Sequence, residues 1–173
     1  MNFGFLIRGL PGHPLHPPLT DAVIGAYTFA TIAAVLDVLG VTETAAAQAW
    51  WLALLVGLVL TVPTATTGIA DWLTITSGTP LWRTATTHLI VMLLTAGVFL
   101  ATAIGGKGSY DDGDVGTGAL VLTLVGFGLL LFGGWVGGAI TYVHGMRVLN
   151  LVDEPASKAV APTSAEKREA ARG

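Results

Sequence analysis

No cysteine occurs among the 173 residues, which removes disulfides, thiolate zinc sites, cysteine-held iron–sulfur clusters and covalently attached c-type haem together. Charge is almost as scarce: Asp, Glu, Lys and Arg make up 11% of the chain against 53% hydrophobic residues, and the mean hydropathy is +0.72. An ordinary soluble domain carries about a quarter charged residues, so this balance excludes that class. With eight basic residues and a net charge of −3 there is no basic footprint for nucleic acid. A nucleophile elbow, a zinc-protease helix motif and paired intramembrane carboxylates are also missing, which argues against a hydrolase.

What is present is long apolar sequence. Thr44 to Ala70, Thr84 to Gly106 and Val115 to Met146 contain no Asp, Glu, Lys or Arg, and each exceeds the roughly 20 residues that cross a bilayer core as helix. A fourth stretch, Leu19 to Gly40, follows Pro17-Pro18 and holds only Asp21 and Asp37, near its two ends. The expected fold is all-α: an integral membrane four-helix bundle of antiparallel up-down topology, with helices at about 19–40, 48–72, 83–105 and 116–146. A His/Pro-rich arm (1–18) precedes this transmembrane domain (19–149), and a polar tail (150–173) with little to bury is expected to be disordered. Ala45-Ala46-Ala47 resembles a signal cleavage site, but the preceding segment is too long and has only Arg8 as a basic residue, so the first span is read as retained. No internal repeat is evident.

Four spans place the termini and the 2–3 loop on one side. Seven of the eight basic residues lie there (Arg8, Arg83, Arg147, Lys158, Lys167, Arg168 and Arg172), with Lys107 alone opposite. The positive-inside rule then predicts a multi-pass protein of the bacterial inner membrane with both termini cytoplasmic. Trp50-Trp51 on one side, and Trp72, Trp82 and Tyr142 on the other, fit aromatic belts or ordinary packing.

All four histidines, His13, His16, His88 and His144, fall at the end carrying the termini. Histidine in or beside a span is costly unless paired or ligating, so their convergence is the main functional signal. The prolines of Gly12-His13-Pro14-Leu15-His16-Pro17-Pro18 predict an extended arm with His13 and His16 on one side; the plainer reading is a helix start with wet histidines. His88 and His144 sit at similar depth on the third and fourth helices and are the expected axial pair for a flat metallocofactor, with His13 and His16 supplying a second site or replacing one of them. Tyr142 and Arg83 complete the expected cofactor contacts. Gly133/Gly137 and Gly134/Gly138 strip one side of the fourth helix of bulk, either for close helix contact or for a porphyrin. Pro63, among Thr61, Thr64, Thr66 and Thr67, predicts a kink whose freed carbonyl is met by hydroxyls. Asp71 and Asp21 are expected either to support or ligate a metal, or to pair with Arg83 and cap a helix. The metal-ligand set under consideration is His13, His16, His88, His144 and Asp71.

The His13-Pro14-Leu15-His16-Pro17 arm, the Gly68-Ile69-Ala70-Asp71-Trp72 helix end, His88, and the run from Gly134 to Gly145 resemble the bacterial membrane family called domain of unknown function 2231, over roughly residues 10–150. The resemblance implies a four-span inner-membrane architecture and no established activity. Fusions of family members to Rieske or c-type cytochrome modules imply a redox setting.

The function expected is binding of b-type haem and electron transfer with a separate redox protein, rather than stand-alone catalysis. Bis-histidine haem needs no cysteine. The alternatives are a non-haem zinc, copper or iron site, and a transporter or non-catalytic partner subunit. A homodimer through the Gly-rich fourth helix is the expected self-association.

Overall fold

A computed structural model describes residues 4–10, 12–42, 44–149, 152–153, 155, 157 and 160. The expected disorder of the tail, and the basic side chains of Lys158, Lys167, Arg168 and Arg172, lie outside the described residues.

Four helices long and apolar enough to cross a membrane account for most of the chain: α2 (His16–Val38), α3 (Ala45–Trp72), α4 (Pro80–Gly105) and α6 (Thr117–Tyr142). They match the four expected spans. Before them come a short helix α1 (Gly4–Arg8) and the strands β1 (Gly9–Leu10) and β2 (His13–Pro14), which pair antiparallel. The arm is therefore a tight hairpin, not an extended rod, and His13 lies exposed on it while His16 begins α2. Pro17 and Pro18 fit the first turn of that helix because the amide hydrogens they lack would have no intrahelical acceptor there. At the start of α4, Thr79 accepts from the Trp82 amide at 3.2 Å and Pro80 opens the helix. The Gly/Asp connection read as a turn instead contains a short helix, α5 (Lys107–Asp112), closed by left-handed Gly113.

The bundle consists of two hairpins. Helices α2 and α3 pack closely, as do α4 and α6, whereas contact between the two pairs is sparser and the diagonal neighbours are α2 with α4. Each hairpin brings its helices together by the same means, an aromatic ring seated on a glycine. A Cβ at Gly57 would come within 2.5 Å of the Tyr27 ring, and one at Gly126 within 2.9 Å of the Phe99 ring. Tyr27 and Phe99 then stack on each other between the hairpins, centroids 4.0 Å apart and planes at 12°. Contact between equivalent residues is what an approximate two-fold relation produces, and it overturns the expectation of no repeat.

Tryptophan behaves differently from the belt expectation on the far side. Trp50 is fully buried and its indole donates to the Thr123 hydroxyl at 3.0 Å; Trp51 donates to the Ala103 carbonyl at 2.8 Å. The hydroxyls around Pro63 also depart from expectation: those of Thr61, Thr64, Thr66 and Thr67 donate to the carbonyls of Gly57, Leu60, Val62 and Thr64. None of these is Val59, whose carbonyl the proline leaves without its helical donor.

At the end away from the termini, Asp37 is buried and accepts from the Val115 amide at 2.7 Å. It ties the first span to the entry of the last. Asp37→Ala leaves that buried amide unsatisfied and is expected to lower stability by about 1–3 kcal/mol. Thermal unfolding in detergent measures this, with Asp37→Asn, which keeps an acceptor, falling closer to wild type.

Candidate functional site

Two histidines meet between the hairpins. His16 belongs to α2 and His88 to α4, and their ring centroids lie 6.5 Å apart with planes at 87°. His16 precedes Tyr27 by eleven residues and His88 precedes Phe99 by eleven, about three helical turns, so each histidine shares a face with its hairpin's aromatic ring. The seats repeat at the same interval, Gly68 eleven residues after Gly57 and Gly137 eleven after Gly126. A Cβ at Gly68 would approach the His16 ring to 2.7 Å, and one at Gly137 the His88 ring to 2.9 Å. Close approach of the two backbones is what requires glycine here.

Hydrogen bonding fixes the rings in equivalent ways. His16 Nδ1 lies 3.0 Å from the Thr64 carbonyl, and His88 Nδ1 lies 2.9 Å from the Gly133 carbonyl. In both cases the acceptor stands four residues before the seating glycine. A carbonyl oxygen can only accept, so Nδ1 carries the hydrogen in each ring and, in the neutral imidazole, Nε2 keeps its lone pair. The Thr67 hydroxyl, 3.3 Å from His16 Nδ1, donates to the Thr64 carbonyl. Among the described residues, the hydrogen-bonding group near His16 Nε2 is the Thr20 hydroxyl, at 3.5 Å, and its own hydrogen goes to the His16 carbonyl at 2.9 Å. The hydrogen bond of His88 among the described residues is the one from Nδ1.

Both rings line a cavity of about 330 Å³, which reaches from Tyr27 and Thr95 within the bundle to Asp71, Met146 and Arg147 at its mouth. Most of its wall is apolar. Such a space, with few convergent polar groups, has the character of a small-molecule site.

The remaining expected site residues are placed elsewhere. His144 follows the end of α6 and does not line the cavity; its Nε2 lies 3.0 Å from the Thr84 hydroxyl, which itself donates to the Pro80 carbonyl. The partner of His88 across the bundle is thus His16, because α2 and α4 occupy the diagonal. Tyr142 is 88% exposed and Arg83 is exposed, and neither lines the cavity. Among the described residues no three histidine or acidic side chains converge as a metal-binding group, so His13, His16, His88, His144 and Asp71 do not form one ligand set. Asp21 is exposed at the cavity wall.

Asp71 pairs with neither a histidine nor Arg83. Its carboxylate is buried and accepts from Arg8 Nε at 2.8 Å, with Arg147 Nε at 3.7 Å. Arg8 also donates to the Thr74 hydroxyl at 3.3 Å, and Arg147 Nη2 donates to the Arg8 carbonyl. The arm, the end of α3 and the segment after α6 are clasped together at the cavity mouth.

Of the two glycine pairs on α6, Gly133 and Gly137 face Met92, Val91 and His88 inside the chain, whereas Gly134 has open space where a Cβ would stand. Gly68 was not singled out as a site residue from the sequence; the histidine eleven positions before Tyr27 is the signal that finds it. Gly137→Ala is expected to cost about 1–3 kcal/mol by overpacking the His88 ring, while Gly134→Ala is expected to be neutral or slightly stabilising. Unfolding of both variants in the same detergent checks the contrast.

A family model described as a predicted membrane protein, domain of unknown function 2231, matches residues 12–150. This is most of the chain, and the chain belongs to that family. No curated protein and no solved structure matches it.

Proposed function

Starting from membership of a family whose description stops at the membrane, we propose that this protein holds a b-type haem between His16 and His88 and serves in electron transfer. The observation that carries the reading is the equivalent placement of the two imidazoles: Nδ1 of each donates to a backbone carbonyl, Nε2 is left for a ligand, and the centroids are 6.5 Å apart. His16 and His88 would hold the iron of such a cofactor through these nitrogens. Two protein donors are the number a bis-histidine haem takes, whereas a structural zinc requires four.

The surroundings support the same ligand class. Hairpins that pack closely within themselves and more sparsely against each other both contribute to the wall of the cavity. The carbonyls of Thr64 and Gly133 orient the imidazoles and raise their basicity, as partners of ligating histidines do. When bound, haem supplies one-electron exchange. The chain's part is to present two neutral imidazoles in an apolar cavity inside the bundle. In this reading the end carrying Arg8, Arg83 and Arg147 faces the cytoplasm of a bacterial cell, and a separate redox protein exchanges electrons there.

Detergent-purified protein supplied with haem is expected to show b-type bands in a reduced-minus-oxidised spectrum. His16→Ala and His88→Ala are each expected to abolish the six-coordinate low-spin spectrum, while His13→Ala and His144→Ala retain it. Wild type without a Soret band after exposure to ample haem would sink the proposal, and stoichiometric metal without porphyrin would establish a non-haem site instead.

A further inference from the structure

We propose that Arg147 is the anion-binding end of the cavity and takes a carboxylate of a ligand whose apolar body lies between His16 and His88. The inference rests on the haem reading above and deepens it, because the propionates of haem are the carboxylates such a ligand brings. Arg147 lines the cavity at its mouth, on the same wall as Asp71. The nearest carboxylate is already engaged: Asp71 Oδ1 accepts from Arg8 Nε at 2.8 Å, and Arg147 Nε stands 3.7 Å from the same oxygen, beyond hydrogen-bond reach. The contact of Arg147 with the Arg8 carbonyl uses Nη2. A guanidinium has five donors arranged to meet a carboxylate with two parallel bonds, and among the described residues the hydrogen bond of Arg147 is the one from Nη2.

Two guanidiniums, of Arg8 and Arg147, stand against the one buried carboxylate, Asp71, while the other carboxylate of the cavity wall, Asp21, is exposed. A clasp joining the arm to α3 is already made by Arg8, which holds both Asp71 and Thr74. The backbone beyond α6 is also bent to bring Arg147 there: Gly145 has φ +66°, and Arg147, with φ +64°, is the non-glycine residue with positive φ among those described. Left-handed backbone is disfavoured for arginine, and its presence at a cavity mouth is the kind of local strain that accompanies ligand sites.

The test is a Soret titration of the haem-free protein with iron protoporphyrin as the free acid and as its dimethyl ester, which has the same apolar body and no carboxylate charge. Wild type is expected to bind the acid about tenfold more tightly, the scale of one charge-assisted pair. Arg147→Gln is expected to bring the two affinities within about twofold while leaving that for the ester unchanged, and Arg147→Lys to keep most of the preference; Arg147→Met replaces the glutamine variant if that one fails to fold. Equal weakening of both ligands in Arg147→Gln would assign Arg147 a structural role and overturn the inference. Equal affinity of wild type for both would overturn it while leaving the haem reading intact, and binding of neither would overturn both.

Discussion

The bundle's histidine end depends on one constraint: an imidazole inside a membrane protein must satisfy a nitrogen without water. Each of the two interior histidines meets it by reaching a backbone carbonyl of its own hairpin, Thr64 for His16 and Gly133 for His88. The reach works only where the helices come close, so a glycine stands beside each ring. Helix separation, ring orientation and tautomer are consequently set by one contact, used twice. The same ring-on-glycine contact recurs three turns away with Tyr27 and Phe99, which join the hairpins by stacking.

This arrangement separates packing from chemistry. If the histidines served only to hold helices together, their Nδ1 bonds would suffice and nothing would require both rings to border a cavity. A cavity bounded by both rings, with an apolar body and a charged mouth, is the feature that packing leaves unexplained. The mouth is itself assembled from distant parts of the chain, since Arg8, Asp71 and Arg147 come from the arm, the end of α3 and the segment after α6. Closure of the bundle and construction of the site are coupled at that clasp.

The four spans were legible because apolar length and charge exclusion are read directly from composition, and the helix ends at Trp72 and Gly105 agree with expectation. Proline gave the start of the first span less well, since a Pro-Pro pair suits an extended segment and a first helical turn alike. The pairing of His16 with His88 was legible only as an alternative to that of His144 with His88. It follows from which helices lie diagonally, and hydropathy says nothing of that. The repeat was hidden for a related reason: it consists of a histidine, an aromatic ring and two glycines per hairpin, His16 to Gly68 and His88 to Gly137, scattered widely along the chain and differing in ring type. Asp71 illustrates the limit for charges, because Arg83 is nearer in sequence but Arg8, 63 residues away, makes the bond.

The central claim of the proposal is that His16 and His88, whose ring planes cross at 87°, would together hold one haem iron. Electron paramagnetic resonance of the oxidised, haem-loaded protein tests it most directly. The account predicts the highly anisotropic low-spin ferric signal of bis-imidazole haem with crossed ligand planes. A high-spin ferric signal would contradict it.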